Sequence, residues 1–152
     1  MSYSKSLLVY QDKPAYGLFL KLIMIGVPAG LLIASIFLWS SGDSTGGIAL
    51  LGESFLTILI FWLVFPRSYQ IYEDHLRIKL GGPFAVKVGF DNIKEISVTS
   101  RLAMTMNFVT RFTKRYVEID KKKGLSIAIT PNDDSLFVEN AKQALSQWTV
   151  AS

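Results

Sequence analysis

The chain of 152 residues is 50% hydrophobic, with a mean hydropathy of +0.34, a formal net charge of +4, one histidine and no cysteine. The lack of cysteine excludes a disulfide framework and thiolate metal sites, and a lone histidine excludes a His-rich metal centre. A charge of +4 over 152 residues is too small for the electrostatic footprint of a nucleic-acid binder, so no nucleic-acid partner is expected.

Charge and hydropathy are segregated along the chain. Residues 1–65 hold three basic side chains (Lys5, Lys13, Lys21) and three acidic ones (Asp12, Asp43, Glu53), and the other 13 basic and 9 acidic side chains follow. The first apolar run is LFLKLIMIGVPAGLLIASIFLW, Leu18 to Trp39, and the second is IALLGESFLTILIFWLVF, Ile48 to Phe65. Both are close to the roughly 20 apolar residues with which a helix crosses a bilayer. Only SSGDSTGG separates them, which predicts a two-helix transmembrane hairpin within an N-terminal unit of residues 1–66. A cleaved signal peptide is the rival reading of the first run, and the polar lead before it and its length argue against that. Lys5, Lys13 and Lys21 precede the pair, Arg67, Arg77 and Lys79 follow it, and the loop has no basic residue. By the positive-inside rule both termini are then cytoplasmic. Tyr16, Trp39, Trp62 and Tyr69 near the span ends suit interfacial anchoring.

Three features inside the spans have a functional reading beside a structural one. Gly26, Gly30 and Ala34 recur every fourth residue and form a smooth helix face. The second span is expected to pack there, in preference to a second molecule. Pro28 should kink the first helix or break one of its hydrogen bonds. Glu53 is ionisable within a span, which marks it for function; at five residues past Ile48, about 7.5 Å, it is expected to snorkel outward or to pair within a complex rather than to carry ions.

At Pro66 the periodicity changes. Beyond it Tyr69 and Ile71, then Leu76, Ile78 and Leu80, alternate with polar neighbours, so a membrane helix gives way to strands and residues 67–152 form one small domain. Strands are predicted over 68–72 and 75–80, then 84–88 after the Gly81–Pro83 turn. A single helical turn capped by Asp91 precedes a strand over 93–100, and strands over 116–120 and 125–130 pair across the Lys121–Gly124 tip. Asn132, Asp133 and Asp134 open a C-terminal helix in which Phe137, Ala141, Ala144, Leu145 and Trp148 make one apolar stripe, expected to cover the open side of the β domain.

The stretches YQIYEDHLRIKLGGPFAVKVGFDNIKEISV and GLSIAITPNDDSLFVENAKQAL, preceded directly by a span, resemble the membrane-anchored bacterial pleckstrin-homology-like (PH-like) family. That family runs a span into Y-x-[IL]-x-x-x-x-[IL], continues with I-x-x-[IV] after a short turn, and places I-[ST]-P before a final helix. The resemblance covers residues from about 57 to 145. It implies an α+β membrane protein of a prokaryotic cytoplasmic membrane, its hairpin followed by a small barrel or roll of about seven strands in two near-orthogonal sheets, capped by the C-terminal helix. The family carries no established catalytic motif.

This chain departs from the pattern at RLAMTMNFVTRFTKR, Arg101 to Arg115, where Leu102, Met104, Met106, Phe108, Val109 and Phe112 mingle with Arg101, Arg111, Lys114 and Arg115 and no acid occurs. As a strand, Leu102, Met104, Met106 and Phe108 share one face and are core. As a loop or short helix they form an apolar surface rimmed by cations, suited to an anionic bilayer or a partner protein. Both readings stand on the sequence alone. Lys121 to Lys123 read first as a solvated hairpin tip, with head-group contact as the alternative.

No catalytic, cofactor-binding or metal site emerges. GLSIA lacks the second glycine of a nucleophile elbow, GGIALLG lacks the GK[ST] of a phosphate loop, and Asp133 and Asp134 are explained by helix capping. The expectation is a non-enzymatic membrane protein whose cytoplasmic domain binds another membrane protein or a second copy of itself, as an accessory or assembly subunit. The alternative is a tethered module that recognises anionic lipid head groups through the Arg101–Arg115 stretch and the lysine tip.

Overall fold

The computed structural model describes residues 6–100, 105–111 and 113–151. A short strand β1 (Leu8–Asp12) precedes two long helices, α1 (Leu18–Ser40) and α2 (Ser44–Val64). Strands β2 (Ser68–Tyr72), β3 (His75–Lys79) and β4 (Ala85–Gly89) follow, then a 3-10 turn over Phe90–Asn92 and β5 (Ile93–Thr99). The chain ends with β6 (Thr105–Phe108), β7 (Tyr116–Lys121), β8 (Ser126–Ile129) and α3 (Asp134–Ala151).

The strands form two four-stranded sheets, ordered β1-β2-β3-β4 and β5-β7-β8-β6. Pairing is antiparallel except for β6 beside β8, which is parallel. The architecture is α+β, with eight strands among the described residues where about seven were expected and two separate sheets in place of a closed barrel. The unexpected strand is β1, which pairs with β2 although the whole hairpin lies between them in sequence. It carries no turn signal to a neighbouring strand, and its partner is more than fifty residues away.

Period-two patterning builds the core. Tyr69 faces Ile78 and Ile71 faces Leu76 across β2 and β3. In the second sheet Ile96 faces Ile119, Val117 faces Ile129, and Ile119 also faces Ile127. All of these side chains are buried in one cluster. The open side is covered by α3, which packs on β5, β1, β2 and β7. Asp133 starts that helix, its carboxylate accepting the Leu136 N–H at 2.9 Å. The Phe137 ring then enters the core and meets Tyr10 and Tyr69 edge to face, with centroids 6.3 and 6.2 Å away. Trp148 packs half-buried against Phe90.

Both helices of the hairpin are long and apolar enough to cross a membrane. α2 begins at Ser44, four residues before the apolar run, because the Asp43 carboxylate caps the Gly46 N–H at 2.9 Å. The expected packing face is corrected. Gly26 and Gly30 are exposed, and a Cβ on either would meet nothing within 4 Å, while Ala34 lies half-buried at the flank. α2 packs instead on Pro28 and Ser35, presenting Gly47 and Ser54, and each pair is seven residues apart and so keeps to one helix face. Ser35 Oγ donates to the Gly47 carbonyl at 2.6 Å and Ser54 Oγ donates to the Pro28 carbonyl at 3.1 Å. These two hydroxyls bond across the interface and tie the helices along this face, and a smooth glycine face offers no such bonds. A Cβ on Gly47 would come within 3.1 Å of the Ser35 carbonyl oxygen, so the absence of a side chain there permits the approach.

Candidate membrane-proximal interaction site

The hairpin is stitched to the β unit where its two helices emerge. Between β1 and α1, the Lys13 carbonyl accepts from Asn132 N–H at 2.9 Å, Ala15 N–H donates to the Thr130 carbonyl at 2.9 Å, and Gly17 N–H donates to the Thr110 carbonyl at 2.8 Å. Thr110 is fully buried; its N–H donates to Thr130 Oγ1 and its hydroxyl to the Ala15 carbonyl, both at 2.9 Å. On the returning side, Tyr16 Oη donates to the Pro66 carbonyl at 2.6 Å and Arg67 N–H to the Lys79 carbonyl at 2.7 Å. Gly81 backs so closely onto α2 that a Cβ would lie 1.6 Å from the Trp62 carbonyl oxygen, so only glycine fits that turn.

This junction gives direction to the rest of the unit. β8 runs from the lysine tip at Lys121 to Gly124 towards Thr130 at the junction, a rise of about 20 Å for six residues. The tip, held by Asn92 through Lys122 N–H and Lys123 N–H, therefore sits at the end remote from the hairpin. β7 is antiparallel to β8 and begins beside Ile129, which places Lys114 and Arg115, just before it, at the hairpin end.

The stretch Arg101 to Arg115 does not form a single surface among its described residues. Arg101 and Met104, with Leu102 and Phe112, lie outside the described residues. Phe108 packs against the core and its carbonyl accepts from Tyr69 Oη at 2.8 Å, whereas Met106 is 42% exposed on edge strand β6. Burial raises the pKa of that tyrosine. Arg111 turns to Asp134 in the first turn of α3, with Nη2 to Oδ2 at 2.9 Å. Arg111 Nε and Asp134 Oδ1 are buried without a hydrogen-bond partner among the described residues, so the pair uses one arm of each group. Burial raises the pKa of Asp134, and the charges of Arg111 and Arg115 oppose that shift. Lys114 and Arg115 are exposed. A cavity of about 430 Å³ next to Arg111 is lined by Leu20 of α1, Phe65, Val109 and Tyr116, which sets the stretch against the foot of the hairpin.

Glu53 is exposed on α2, nine residues past the helix start, or about 14 Å along the axis. It lies further into the helix than the apolar run suggested, because α2 starts earlier. It forms no ion pair with a described residue. His75 is buried, stacked on Tyr72 with centroids 4.5 Å apart, and its Nδ1 meets Asp74 Oδ1. Burial pushes the Asp74 pKa upward, but the hydrogen bond and charge of His75 outweigh it and the net shift is down. Among the described residues no group of three His, Asp or Glu side chains could hold a metal ion.

The pattern of the bacterial PH domain family matches residues 67–144, just over half of the chain, and the chain belongs to that family. The match spans β2 to the middle of α3 and leaves β1 and the hairpin outside it. No curated protein and no solved structure matches the chain.

Proposed function

We propose that this protein is a non-enzymatic interaction subunit: a PH module held at a bacterial cytoplasmic membrane by its hairpin, which associates within the bilayer with another membrane protein or a second copy of itself. The observation that carries this reading is the outward surface of the hairpin. Gly26, Gly30 and Glu53 are all exposed and none is used in packing α1 on α2. A carboxylate at mid-helix facing hydrocarbon costs about 2.5–3.5 kcal/mol, which a donor on a partner helix offsets. The basic residues Lys13, Lys21, Arg67, Lys114 and Arg115 gather at the foot of the hairpin and none lies in its Ser41–Asp43 loop, which supports a cytoplasmic β unit and cytoplasmic termini.

The chain has no cysteine, so single cysteines are clean probes. A photo-crosslinker on Gly30→Cys or Glu53→Cys in native membranes should give one discrete protein adduct, at least five-fold stronger than from Ile58→Cys. Equal yields at all three positions, or no adduct at the first two, would remove this reading.

A second reading is contact with anionic lipid. The lysine tip sits at the remote end, which disfavours it as the contact. The placement of Lys114 and Arg115 at the hairpin end favours head-group contact as an orienting anchor.

A further inference from the structure

A cavity of about 400 Å³ opens where both helices meet the β unit. Among the described residues two cations line it, Lys13 from the segment after β1 and Arg67 from the start of the β unit, and no carboxylate does. Its other wall is apolar, made by Met24 of α1 and by Phe61, Trp62 and Phe65 at the end of α2. The Arg67 guanidinium lies over the Trp62 ring, 5.3 Å from its centroid, which holds that cation at the rim. Neither Lys13 nor Arg67 forms an ion pair with a described carboxylate. Tyr16 donates its hydroxyl to the Pro66 carbonyl and so braces the wall.

We infer that this cavity binds the phosphate of an anionic phospholipid, with Lys13 and Arg67 on the phosphate and the Met24, Phe61 and Trp62 wall against the glycerol and the first acyl methylenes. The polarity of the cavity follows that of a bilayer surface, with cations on the β-unit side and apolar groups on the helix side. Charge decides the lipid class: two positive groups with no negative one favour a head group with net negative charge, and a zwitterionic lipid would bring its ammonium beside two cations. A soluble phosphate ester would leave the aromatic wall in water and forgo the apolar contribution. The site is separate from the outward face of the hairpin, and it rests on the hairpin lying in a bilayer.

The test uses the full chain in neutral detergent, titrated with phosphatidylglycerol, phosphatidylcholine and glycerol phosphate and read by native mass spectrometry. Phosphatidylglycerol should bind at least ten-fold more tightly than phosphatidylcholine. K13Q and R67Q should each lower that preference about five-fold, the equivalent of about 1 kcal/mol per charge. Removing two cations from the remote tip, K122Q with K123Q, should leave it within two-fold. Both cavity side chains are exposed, and K13Q alone carries the test if R67Q unsettles Trp62. Equal losses from cavity and tip variants would mean diffuse attraction and overturn the site. Glycerol phosphate binding as tightly as the lipid would overturn a membrane ligand. Alkaline-carbonate extraction reads bilayer residence independently: a protein that stays in the membrane pellet but shows no lipid preference defeats this inference alone.

Discussion

The β unit and the hairpin are packed on opposite plans. In the β unit the fully buried side chains are Tyr69, Ile71, Leu76, Phe90, Ile96, Ile119 and their neighbours, and most charged groups face out, the Arg111–Asp134 pair being an exception. In the hairpin the buried residues are Pro28, Ser35, Gly47 and Ser54, and the exposed ones include Phe19, Leu22, Ile25, Ile33, Ile36, Phe37, Phe55 and Leu56. Water makes apolar burial the driving force in the first region. In hydrocarbon an exposed leucine costs nothing, so close approach of small residues and hydroxyl-to-carbonyl hydrogen bonds are what remain to hold two helices together. The two packing plans suit two different solvents, and the contrast supports the proposed bilayer location better than helix length alone.

The contrast breaks most visibly if the β unit proves insensitive to loss of an apolar side chain. Phe137 joins α3 to both β1 and β2 through Tyr10 and Tyr69. Phe137→Ala should cost about 3–5 kcal/mol, a large share of the stability of a domain this size. Denaturant unfolding of the full chain in mild detergent is the measurement, since a fragment starting at Arg67 would lack β1. A midpoint unchanged from wild type would mean that α3 is not the lid of this core.

A smaller effect is expected in the hairpin. Ser35→Ala and Ser54→Ala each remove one interhelical hydrogen bond, to Gly47 and Pro28 respectively. Each should destabilise the helix pair by about 0.6–1.7 kcal/mol, several-fold less than Phe137→Ala. Titration of the full chain with a denaturing detergent, read by energy transfer across the hairpin, would show it. Losses of about 3 kcal/mol or more per serine would mean that the hairpin is packed like a core in water, and the comparison would fail.

Most of the β unit was legible because alternation and turn chemistry agree. The β2–β3 hairpin, the single helical turn before β5, the β7–β8 pair and the α3 stripe all lie close to where periodicity put them, although Asp91 sits inside that turn and does not cap it: the turn starts after Gly89 with no side-chain cap. Four things were not legible, each for a physical reason. β1 is a short edge strand whose partner lies beyond the hairpin, and local pattern cannot express a pairing between Leu8 and Tyr72. The face joining α1 to α2 depends on two serines whose hydroxyls need a partner carbonyl, a directional requirement that the small-residue spacing of Gly26 and Gly30 conceals. Arg111 read as a free surface cation, yet Asp134 draws it to the start of α3, and nothing in the spacing of the two residues announces that contact. The junction cavity is hidden in the sequence because Lys13 and Arg67 lie on opposite sides of the hairpin, and only the pairing of β1 with β2 makes them neighbours in space.

The junction between the two regions offers the subtlest test, through the titration of Asp134. Burial raises the pKa of its carboxyl above the ordinary 3.8, Asp133 and Asp12 add to that, and Arg111 and Arg115 pull against it. The start of a helix normally favours a carboxylate, so here desolvation outweighs the helix dipole. Because the folded state holds the proton more tightly than the unfolded chain, the stabilisation is complete below pH 3.8 and is lost as pH rises through the folded-state pKa. Asp120 runs the other way: hydrogen bonds from Lys94 and Ser126 lower its pKa, so its contribution is present above pH 3.8 and is lost as pH falls through the folded value. Unfolding midpoints of the full chain across the acidic range should therefore show D134N removing a decline with rising pH and D120N removing a decline with falling pH. Identical slopes for wild type and D134N would mean that Arg111 fully compensates the burial of Asp134. The pair would then be a neutral strut between the hairpin foot and α3, whereas the raised pKa makes it a site of residual cost.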